Sequence, residues 1–423
     1  MNNIIRYAAE VLDTFDTRPF SDVDSLILSC AAYIHLPDAL PAVRAWDGLR
    51  LAELYRAEHF AAMFSGTFAP EDLRALFCAL AASPRFRDLR VCGFREVLDP
   101  AQEKQFSAVT FCLGHDRTYV AFRGTDSTLV GWKEDFNMTF QTPIPSQTEA
   151  VRYLGQAARH CPGVLRLGGH SKGGNLAVYA AAFCRPEVQK RIISVYSHDG
   201  PGFLETVLQH PGFSRIHDRV EKTLPQSSVV GLLLEQQKTG KIIRSSGVGV
   251  SQHDPFTWEL ENGAFVVLEH LTPEARYLDR ALTAWLQQVD PAQRERLVDV
   301  LFQVLGAGDI QRFSDLRTDW QKAVPAVVHA ASHLDPETRE FLFQTLKELA
   351  SLIKNMTISG ELFIAPVMKC AAIAIVTKLA SELCRDSSQS AVASSVELAG
   401  SICALSVAMP LIISMLKTIG AMA

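Results

Sequence analysis

The sequence predicts an α/β fold in which a parallel sheet is covered by helices on both faces. Between residues 101 and 272, short apolar runs alternate with segments that carry apolar residues at helical spacing. Strands that alternate with helices in this way form parallel sheets, because each helix returns the chain to the start of the next strand. A Gly-rich turn at residues 169–174 joins one strand directly to a helix. We therefore expect the core of the protein at 101–272.

The elements of this core follow one another in a regular order. They are a β-hairpin at 107–122, a helix at 148–160, a strand at 164–167, a helix at 175–184, a strand at 191–196, a strand at 220–224 and a hairpin-like pair at 241–250. Residues 1–100 combine helical spacing with scattered prolines, which predicts an N-terminal cap of short helices. The pattern at 273–354 predicts a helical extension.

The tail, residues 355–423, differs in kind from the rest of the chain. Residues 398–416 carry no charge, and residues 362–377 are interrupted only by Lys369. The run at 398–416 is long enough to cross a bilayer, and the run at 362–377 is nearly as apolar. They predict a transmembrane helical hairpin that attaches the protein to the cell membrane; a buried helical hairpin in a soluble domain is the alternative.

Composition excludes several classes of function. With 423 residues, the chain has room for two or three domains. Its net charge is -5 and it has no long basic run, so it shows no feature of a nucleic-acid-binding protein. The nine cysteines show no CxxC pair and no metal-ligand spacing. We expect reduced thiols, a catalytic part in the cytoplasm, and neither a metal nor another cofactor.

The Gly-rich turn is the strongest functional motif. Gly169-His170-Ser171-Lys172-Gly173 follows an apolar run and precedes a small-residue helix. This pattern is typical of a nucleophile elbow, in which glycines two residues before and after the serine permit a strained turn. It predicts that Ser171 is a catalytic nucleophile; a Gly-rich turn without a catalytic role is the alternative.

A nucleophilic serine needs a histidine base and an acid that orients it. In the order that a nucleophile elbow usually has, the histidine follows the serine in the chain. Seven histidines qualify: His198, His210, His217, His253, His270, His329 and His333. His253 is best placed, because it follows the last predicted strand in a loop fixed by Pro255.

Asp199 is the first candidate for the acid. It comes directly after the strand that follows the elbow helix, so it lies at the same sheet edge as Ser171. Asp218 and Glu221 are alternatives, but Asp218 precedes its strand and Glu221 lies within it. Asp199 is also compatible with a simple turn, because Asp-Gly-Pro-Gly has strong turn chemistry.

The donors to an oxyanion are predicted on two loops. One is the backbone N–H of Lys172, next after the serine, and the other is Thr125, through its N–H and its hydroxyl. Thr125 ends a predicted strand as part of Arg123-Gly124-Thr125. Arg123 itself has a structural alternative, an ion pair with a carboxylate such as Asp135.

Together these segments resemble two related families. Arg123-Gly124-Thr125 with Trp132 and Asp135 is similar to the oxyanion-hole region of the class 3 lipases, and a closer resemblance is to the lipase-like Mbeg1-like family over about residues 1–350. The strings that carry it are FRGTD (122–126), GWKEDF (131–136), GHSKGGNLA (169–177), DGPGF (199–203), PQSSVVG (225–231) and QHDPF (252–256). The resemblance implies an α/β-hydrolase sheet flanked by helices.

One position departs from the class 3 lipase pattern. That family places its triad acid after the strand that here ends near Pro225, and the residue at that place is Ser228. Pancreatic-type lipases resemble this chain more closely here, since their acid follows the strand after the elbow helix, as Asp199 does. Either Asp199 supplies the acid or the triad is degraded.

The tail has a resemblance of its own. Residues 355–423 are similar to the carboxyl-terminal half of stage III sporulation protein AD, a small membrane protein of a sporulation channel complex. The matching strings are SQSAVAS (388–394), VELAG (396–400) and AMPL (408–411). The resemblance implies a membrane location and a sporulation membrane complex as a partner.

These observations lead to one hypothesis with two rivals. The hypothesis is a serine hydrolase that cleaves a lipid or acyl ester through an acyl-enzyme at Ser171, with His253 as base and Asp199 as acid. The first rival is a non-catalytic lipase-like module with a membrane or assembly role in sporulation. The second is a peptidase or thioesterase on the same fold.

Overall fold

The structure is a computed structural model that describes residues 2–114, 116–234, 240–307, 310–312, 326–327 and 329–356. The contacts within the chain separate Met1–Val327 from Val328–Ala423. All elements below belong to the first unit, apart from the last helix.

A nine-stranded mixed sheet forms the centre of the first unit. Its strands lie in the spatial order β1-β2-β3-β4-β5-β6-β7-β8-β11. From β4 to β8 every neighbouring pair is parallel, and the remaining pairs are antiparallel. Its strands are β1 (Leu49–Arg50), β2 (Arg90–Asp99), β3 (Lys104–Cys112), β4 (Arg117–Phe122), β5 (Val164–His170), β6 (Ile192–His198), β7 (Val220–Pro225), β8 (Lys241–Ile243) and β11 (Val267–Leu268). A separate antiparallel pair is formed by β9 (Leu260–Glu261) and β10 (Ala264–Phe265).

Helices of the first unit cover both faces of the sheet. The helices of this unit are α1 (Ile4–Glu10), α2 (Asp22–Ala31), α3 (Phe60–Phe64), α4 (Pro70–Ala82), α5 (Leu129–Asn137), α6 (Pro145–His160), α7 (Lys172–Phe183), α8 (Pro186–Gln189), α9 (Glu205–Leu208), α10 (Pro211–Ile216), α11 (Pro273–Gln288) and α12 (Pro291–Leu305). Several single 3₁₀ turns connect them, among them Gly249–His253. The second unit contains α13 (Pro336–Met356).

Two apolar cores fill the space between the sheet and its helices. One core joins the N-terminal helices to β2, β3 and β4, and α2 is buried along nearly its whole length. The other joins α6, α7 and α10 to the opposite face. The N-cap Ser21 and Asp24 form a capping box that fixes the start of α2. The first hundred residues thus supply one of the two helical layers as well as β1 and β2.

The register of the parallel strands aligns their carboxyl ends. Phe122 of β4 lies opposite Gly169 of β5, and His170 lies opposite His198 of β6. The residues that follow these strands therefore emerge side by side at one edge, which is where ligands bind in open α/β sheets.

Most of the predicted elements are present in the core. The predicted β-hairpin corresponds to β3 and β4, and the segment at 220–224 is β7, which runs parallel to β6. The hairpin predicted at 241–250 is wrong. Only Lys241–Ile243 is extended, its antiparallel partner is β11, and the chain turns at Gly249, whose φ is +58°.

The structure contains no membrane-spanning candidate in the described ranges, where every helix is too short or too polar to cross a bilayer. The predicted hairpin at 362–377 and 398–416 lies outside the described residues.

We expect Gly173→Ala to destabilise the fold, because α7 approaches β4 too closely for a side chain. A Cβ at Gly173 would lie 2.1 Å from the Phe122 carbonyl oxygen, whereas a Cβ at Gly155 of α6 would meet no atom within 4 Å. Urea unfolding should show a loss of about 1–3 kcal/mol for Gly173→Ala. The matched control Gly155→Ala should be unchanged or gain up to about 1 kcal/mol. Equal stability of the two variants would contradict the close contact.

Candidate active site

Ser171 occupies a strained turn between β5 and α7. Its φ is 60° and its ψ is -134°, a conformation that a residue with a side chain rarely adopts. The Ser171 N–H donates to the His198 carbonyl at 2.9 Å, and the Gly174 N–H donates to the Ser171 carbonyl at 2.9 Å. A Cβ at Gly169 would lie 2.2 Å from the Gly173 carbonyl carbon. The glycines of the motif therefore permit the turn, and the flanking backbone holds the serine there.

His253 and Asp199 meet at the same edge. Asp199 follows β6 with a φ of 49°, its N–H donates to the Thr223 carbonyl at 2.8 Å, and its side chain is fully buried. His253 Nδ1 donates to Asp199 Oδ2 at 2.6 Å. This bond leaves Nε2 of the half-buried His253 ring for a second partner. No hydrogen bond joins that ring to Ser171 in the part of the chain that the structure describes; catalytic hydrogen bonds are often long without substrate.

The second oxygen of the Asp199 carboxylate is bound by Ser228. The Ser228 hydroxyl donates to Asp199 Oδ1 at 2.5 Å, and Ser228 is 2% exposed. The residue that departs from the class 3 lipase pattern is therefore a partner of Asp199. Sequence reasoning missed this pairing because the two residues lie on different loops.

The His170 ring forms a hydrogen bond with the backbone of His253. Its Nε2 donates to the His253 carbonyl at 2.8 Å, and its Nδ1 accepts from the Tyr33 hydroxyl at 3.3 Å. Burial, together with the neighbouring His253, lowers the pKa of His170 well below its usual value, so the ring is neutral. Its place inside the elbow motif was the only sequence signal for this contact.

Thr125 lies beside the elbow. A Cβ at the preceding Gly124 would be 3.1 Å from Ser171 Cβ and 2.6 Å from the His170 carbonyl oxygen, so β4 and β5 end in close contact. The Thr125 hydroxyl donates to Asp135 Oδ2 at 2.5 Å. This use of the hydroxyl leaves the backbone N–H as the group that Thr125 has for an oxyanion.

Lys172 is the first residue of α7, and its backbone N–H and its side-chain ammonium have different surroundings. Its N–H belongs to the first turn of the helix, where N–H groups have no partner within the helix. Its side chain is fully buried and its ammonium lies 3.0 Å from Glu134 Oε2 and 3.4 Å from Asp135 Oδ1. Burial opposes the charge, but these carboxylates outweigh it and raise the pKa of Lys172. Burial also raises the pKa of Asp135 to about 6, although Lys172 counteracts the effect.

Arg123 forms ion pairs, as the structural alternative predicted, but with other carboxylates than that of Asp135. Its guanidinium lies 2.5 Å from Glu96 Oε1 and 3.6 Å from Asp126 Oδ2. His35 Nδ1 also donates to Glu96 Oε1, at 2.8 Å. Although burial alone would raise it, the His35 and Arg123 contacts lower the pKa of Glu96 to about 2. This cluster anchors the loop that carries Thr125.

The alternative acids do not reach His253. Because β7 is parallel to β6, Asp218 lies at the amino edge of the sheet, where it is exposed and bonds His217. Glu221 is inside β7, opposite Tyr196. Among the other histidines, His198 is buried and shares a bond with Ser25 on the α2 face. His210 accepts from the Gly212 N–H beside Phe183. His333 bonds its neighbours His329 and Ser332.

Among the residues that the structure describes, no group of metal-ligating side chains lies around Ser171. Over the described ranges, three or more His, Cys, Asp or Glu side chains gather at metal-ligating distance at one place alone, and that place is formed by cysteines far from this edge.

Comparison with protein families gives two matches. The family model described as Mbeg1-like matches residues 80–303, which is more than half of the chain. The model of the stage III sporulation protein AC/AD family matches residues 367–422. A comparison with curated proteins found no similar sequence.

Solved structures that are similar to this chain include three structures of fungal lipases. The Rhizomucor miehei lipase propeptide complex has 16% identity over 46% of this chain and 69% of that chain, with a TM-score of 0.30. A fungal lipase-inhibitor complex has 15% identity over 57% and 79%, with a TM-score of 0.33. The lipase from Rhizopus microsporus var. chinensis has 14% identity over 53% and 91%, with a TM-score of 0.29.

We expect Ser228→Ala to destabilise the site, because it leaves one buried carboxylate oxygen of Asp199 without its donor. Urea unfolding should show a loss of about 1–3 kcal/mol. The neighbouring Ser227→Ala is the control, since Ser227 is only part-buried and bonds the Thr272 hydroxyl. Equal losses of unfolding free energy in the two variants would show that the hydrogen bond to Asp199 makes no particular contribution to stability.

The Glu96 cluster should make stability depend on pH. The pKa of Glu96 falls from its ordinary 4.5 to about 2 on folding, so its contribution is present above about pH 4.5 and is lost as the pH falls towards 2. Glu96→Gln should cost about 1–3 kcal/mol at pH 7, and its deficit relative to wild type should shrink between pH 5 and pH 3. The control is Glu10→Gln, an exposed residue paired with Arg6. A deficit that does not change with pH would count against the ion pair.

Proposed function

The chain belongs to the Mbeg1-like family, and from this premise we propose that it is a serine hydrolase that cleaves an ester of the lipid or acyl class. The observation that carries the proposal is the 2.6 Å bond from His253 Nδ1 to Asp199, at the sheet edge where Ser171 is held in its strained turn. An activated serine needs this arrangement: a histidine oriented by a buried acid, next to a serine that the backbone presents.

The proposed reaction has two halves. Ser171 Oγ attacks the acyl carbon while His253 Nε2 takes the hydroxyl proton, and the backbone N–H groups of Lys172 and Thr125 stabilise the oxyanion. The same proton then passes from His253 to the leaving alcohol, which leaves an acyl-enzyme. In the second half, water attacks the acyl carbon while His253 takes its proton. The bond to Ser171 Oγ then breaks, His253 returns the proton to Ser171, and the carboxylic acid is released. Asp199 keeps its charge throughout and fixes the histidine tautomer.

The proposed substrate and location rest on the tail. Residues 367–422 are similar to a sporulation protein family, and residues 398–416 carry no charge. We propose that the tail attaches a cytoplasmic catalytic domain to the cell membrane, in the setting of a sporulation membrane complex. A lipid or acyl ester is a substrate that such a location supplies.

Ser228 bears on the non-catalytic alternative. A serine in the usual acid position favours that alternative only if no other acid reaches the histidine. The hydrogen bond from Ser228 to Asp199 instead supports an active triad, because it orients the carboxylate that bonds His253.

The test is labelling of the full-length protein, in detergent, with a fluorophosphonate probe that reacts with activated serines. Wild type should be labelled at Ser171, and Ser171→Ala and His253→Ala should not be labelled. Asp199→Asn should slow labelling by about 10³–10⁴-fold, because it favours the wrong histidine tautomer.

His217→Ala is the matched control, since His217 bonds Asp218 in an exposed pair at the opposite edge of the sheet. Its labelling rate should equal that of wild type. A folded wild-type protein that is not labelled would reject the enzyme and leave the non-catalytic module. Where labelling succeeds, esters, thioesters and amides of the same acyl chain separate the remaining alternatives.

A further inference from the structure

Three thiols meet at the edge of the sheet that lies opposite Ser171. Cys92 belongs to β2, Cys112 ends β3 and Cys161 follows α6, and their Sγ atoms all lie within 4.8 Å of one another. All three are free thiols. Cys92 and Cys161 are 0% and 2% exposed, whereas Cys112 is half-buried.

The fold brings them together through strand register and one helix end. On the β2-β3 pair, Arg90 lies opposite Cys112 and Cys92 lies opposite Thr110, so the period of two places all four side chains on one face. Thr110 shares a 2.9 Å hydrogen bond with Tyr153, which identifies this face as the one that α6 covers. The residue that caps α6 is Cys161. Cys112 follows Cys92 by twenty residues and precedes Cys161 by forty-nine, so the sequence has no metal-ligand spacing that would indicate the group.

The spacing of the sulfurs suits a metal ion. A zinc–sulfur bond is about 2.3 Å long, so three thiolates in tetrahedral geometry have sulfurs about 3.8 Å apart. The three sulfurs are already within 4.8 Å, so small rotations of the side chains bring them to that distance. Because Cys112 is half-buried, one side of the group is open to solvent, and a water there would supply the fourth ligand.

Charge balance favours a divalent ion. The Arg90 guanidinium donates to Cys112 Sγ at 3.3 Å and is the cation that the structure places on the group. Three thiolates, one guanidinium and one divalent cation sum to zero charge. A neutral group is much cheaper to bury than a set of unbalanced thiolates.

We propose that Cys92, Cys112 and Cys161 form a zinc site. The ion joins the β2-β3 hairpin to the end of α6, and its role is structural, because the site lies at the amino edge of the parallel strands. Cys161 precedes β5 by three residues and Ser171 follows its other end, so the length of the strand, about 20 Å, separates the two sites.

The test is zinc titration of the reduced, metal-free full-length protein against a chromophoric zinc indicator. Wild type should bind one equivalent that Cys112→Ser lacks or binds about 100-fold more weakly. Zinc should also raise the melting temperature of wild type and not that of Cys112→Ser. The matched control is Cys184→Ser, because Cys184 is a lone buried thiol that caps α7 as Cys161 caps α6. It should bind as wild type does.

A second measurement on wild type needs no variant. Zinc should protect Cys92, Cys112 and Cys161 from alkylation, as mapped by mass spectrometry, while Cys184 keeps its reaction rate. Two results would overturn the site: equal zinc binding by wild type and Cys112→Ser, or a disulfide between two of the three cysteines in the protein as isolated. Labelling of Ser171 by the fluorophosphonate is independent of either result.

Discussion

The buried ion pair between Lys172 and Glu134 is the interaction on which the candidate site depends. The two side chains are fully buried, and the Lys172 ammonium lies 3.0 Å from the carboxylate. Glu134 of α5 also accepts from the Ser146 N–H and hydroxyl of α6 and from the Gln105 N–H of β3. An ion pair at this depth persists only when such hydrogen bonds compensate the loss of water. The first residue after Ser171 is thereby fixed to three neighbouring elements.

This anchoring separates two roles of Lys172: its side chain stabilises the fold, and its backbone N–H is the group that the proposed reaction uses. The side chain of Lys172 is bound in this network, and its backbone N–H lies at the start of α7, where the proposed reaction uses it to bind a developing negative charge. The Thr125 hydroxyl is committed to Asp135 in the same way. Side chains that are bound in this way hold the two backbone N–H groups in place, which is the preorganisation that the proposed oxyanion site requires.

The N-terminal helices contribute to the site as well as to the core. Tyr33, close after α2, bonds His170, and His170 bonds the His253 carbonyl. His35 and Arg123 hold Glu96 on β2. The layer that the sequence indicated as a cap therefore packs against the sheet and supports the candidate site. Its contacts are long-range in sequence, which is why periodicity alone did not assign them.

The sequence by itself determined the alternation of strands and helices and the strained turn at Ser171, because these depend on local spacing and on glycine. It also predicted that Asp199 lies at the edge that carries Ser171, since parallel strands share their direction. Only the tertiary structure decided that Ser228 bonds Asp199 and that Arg123 pairs with Glu96. These pairs join residues whose distance in the chain carries no periodic signal; the register of the sheet and the packing of its loops bring them into contact.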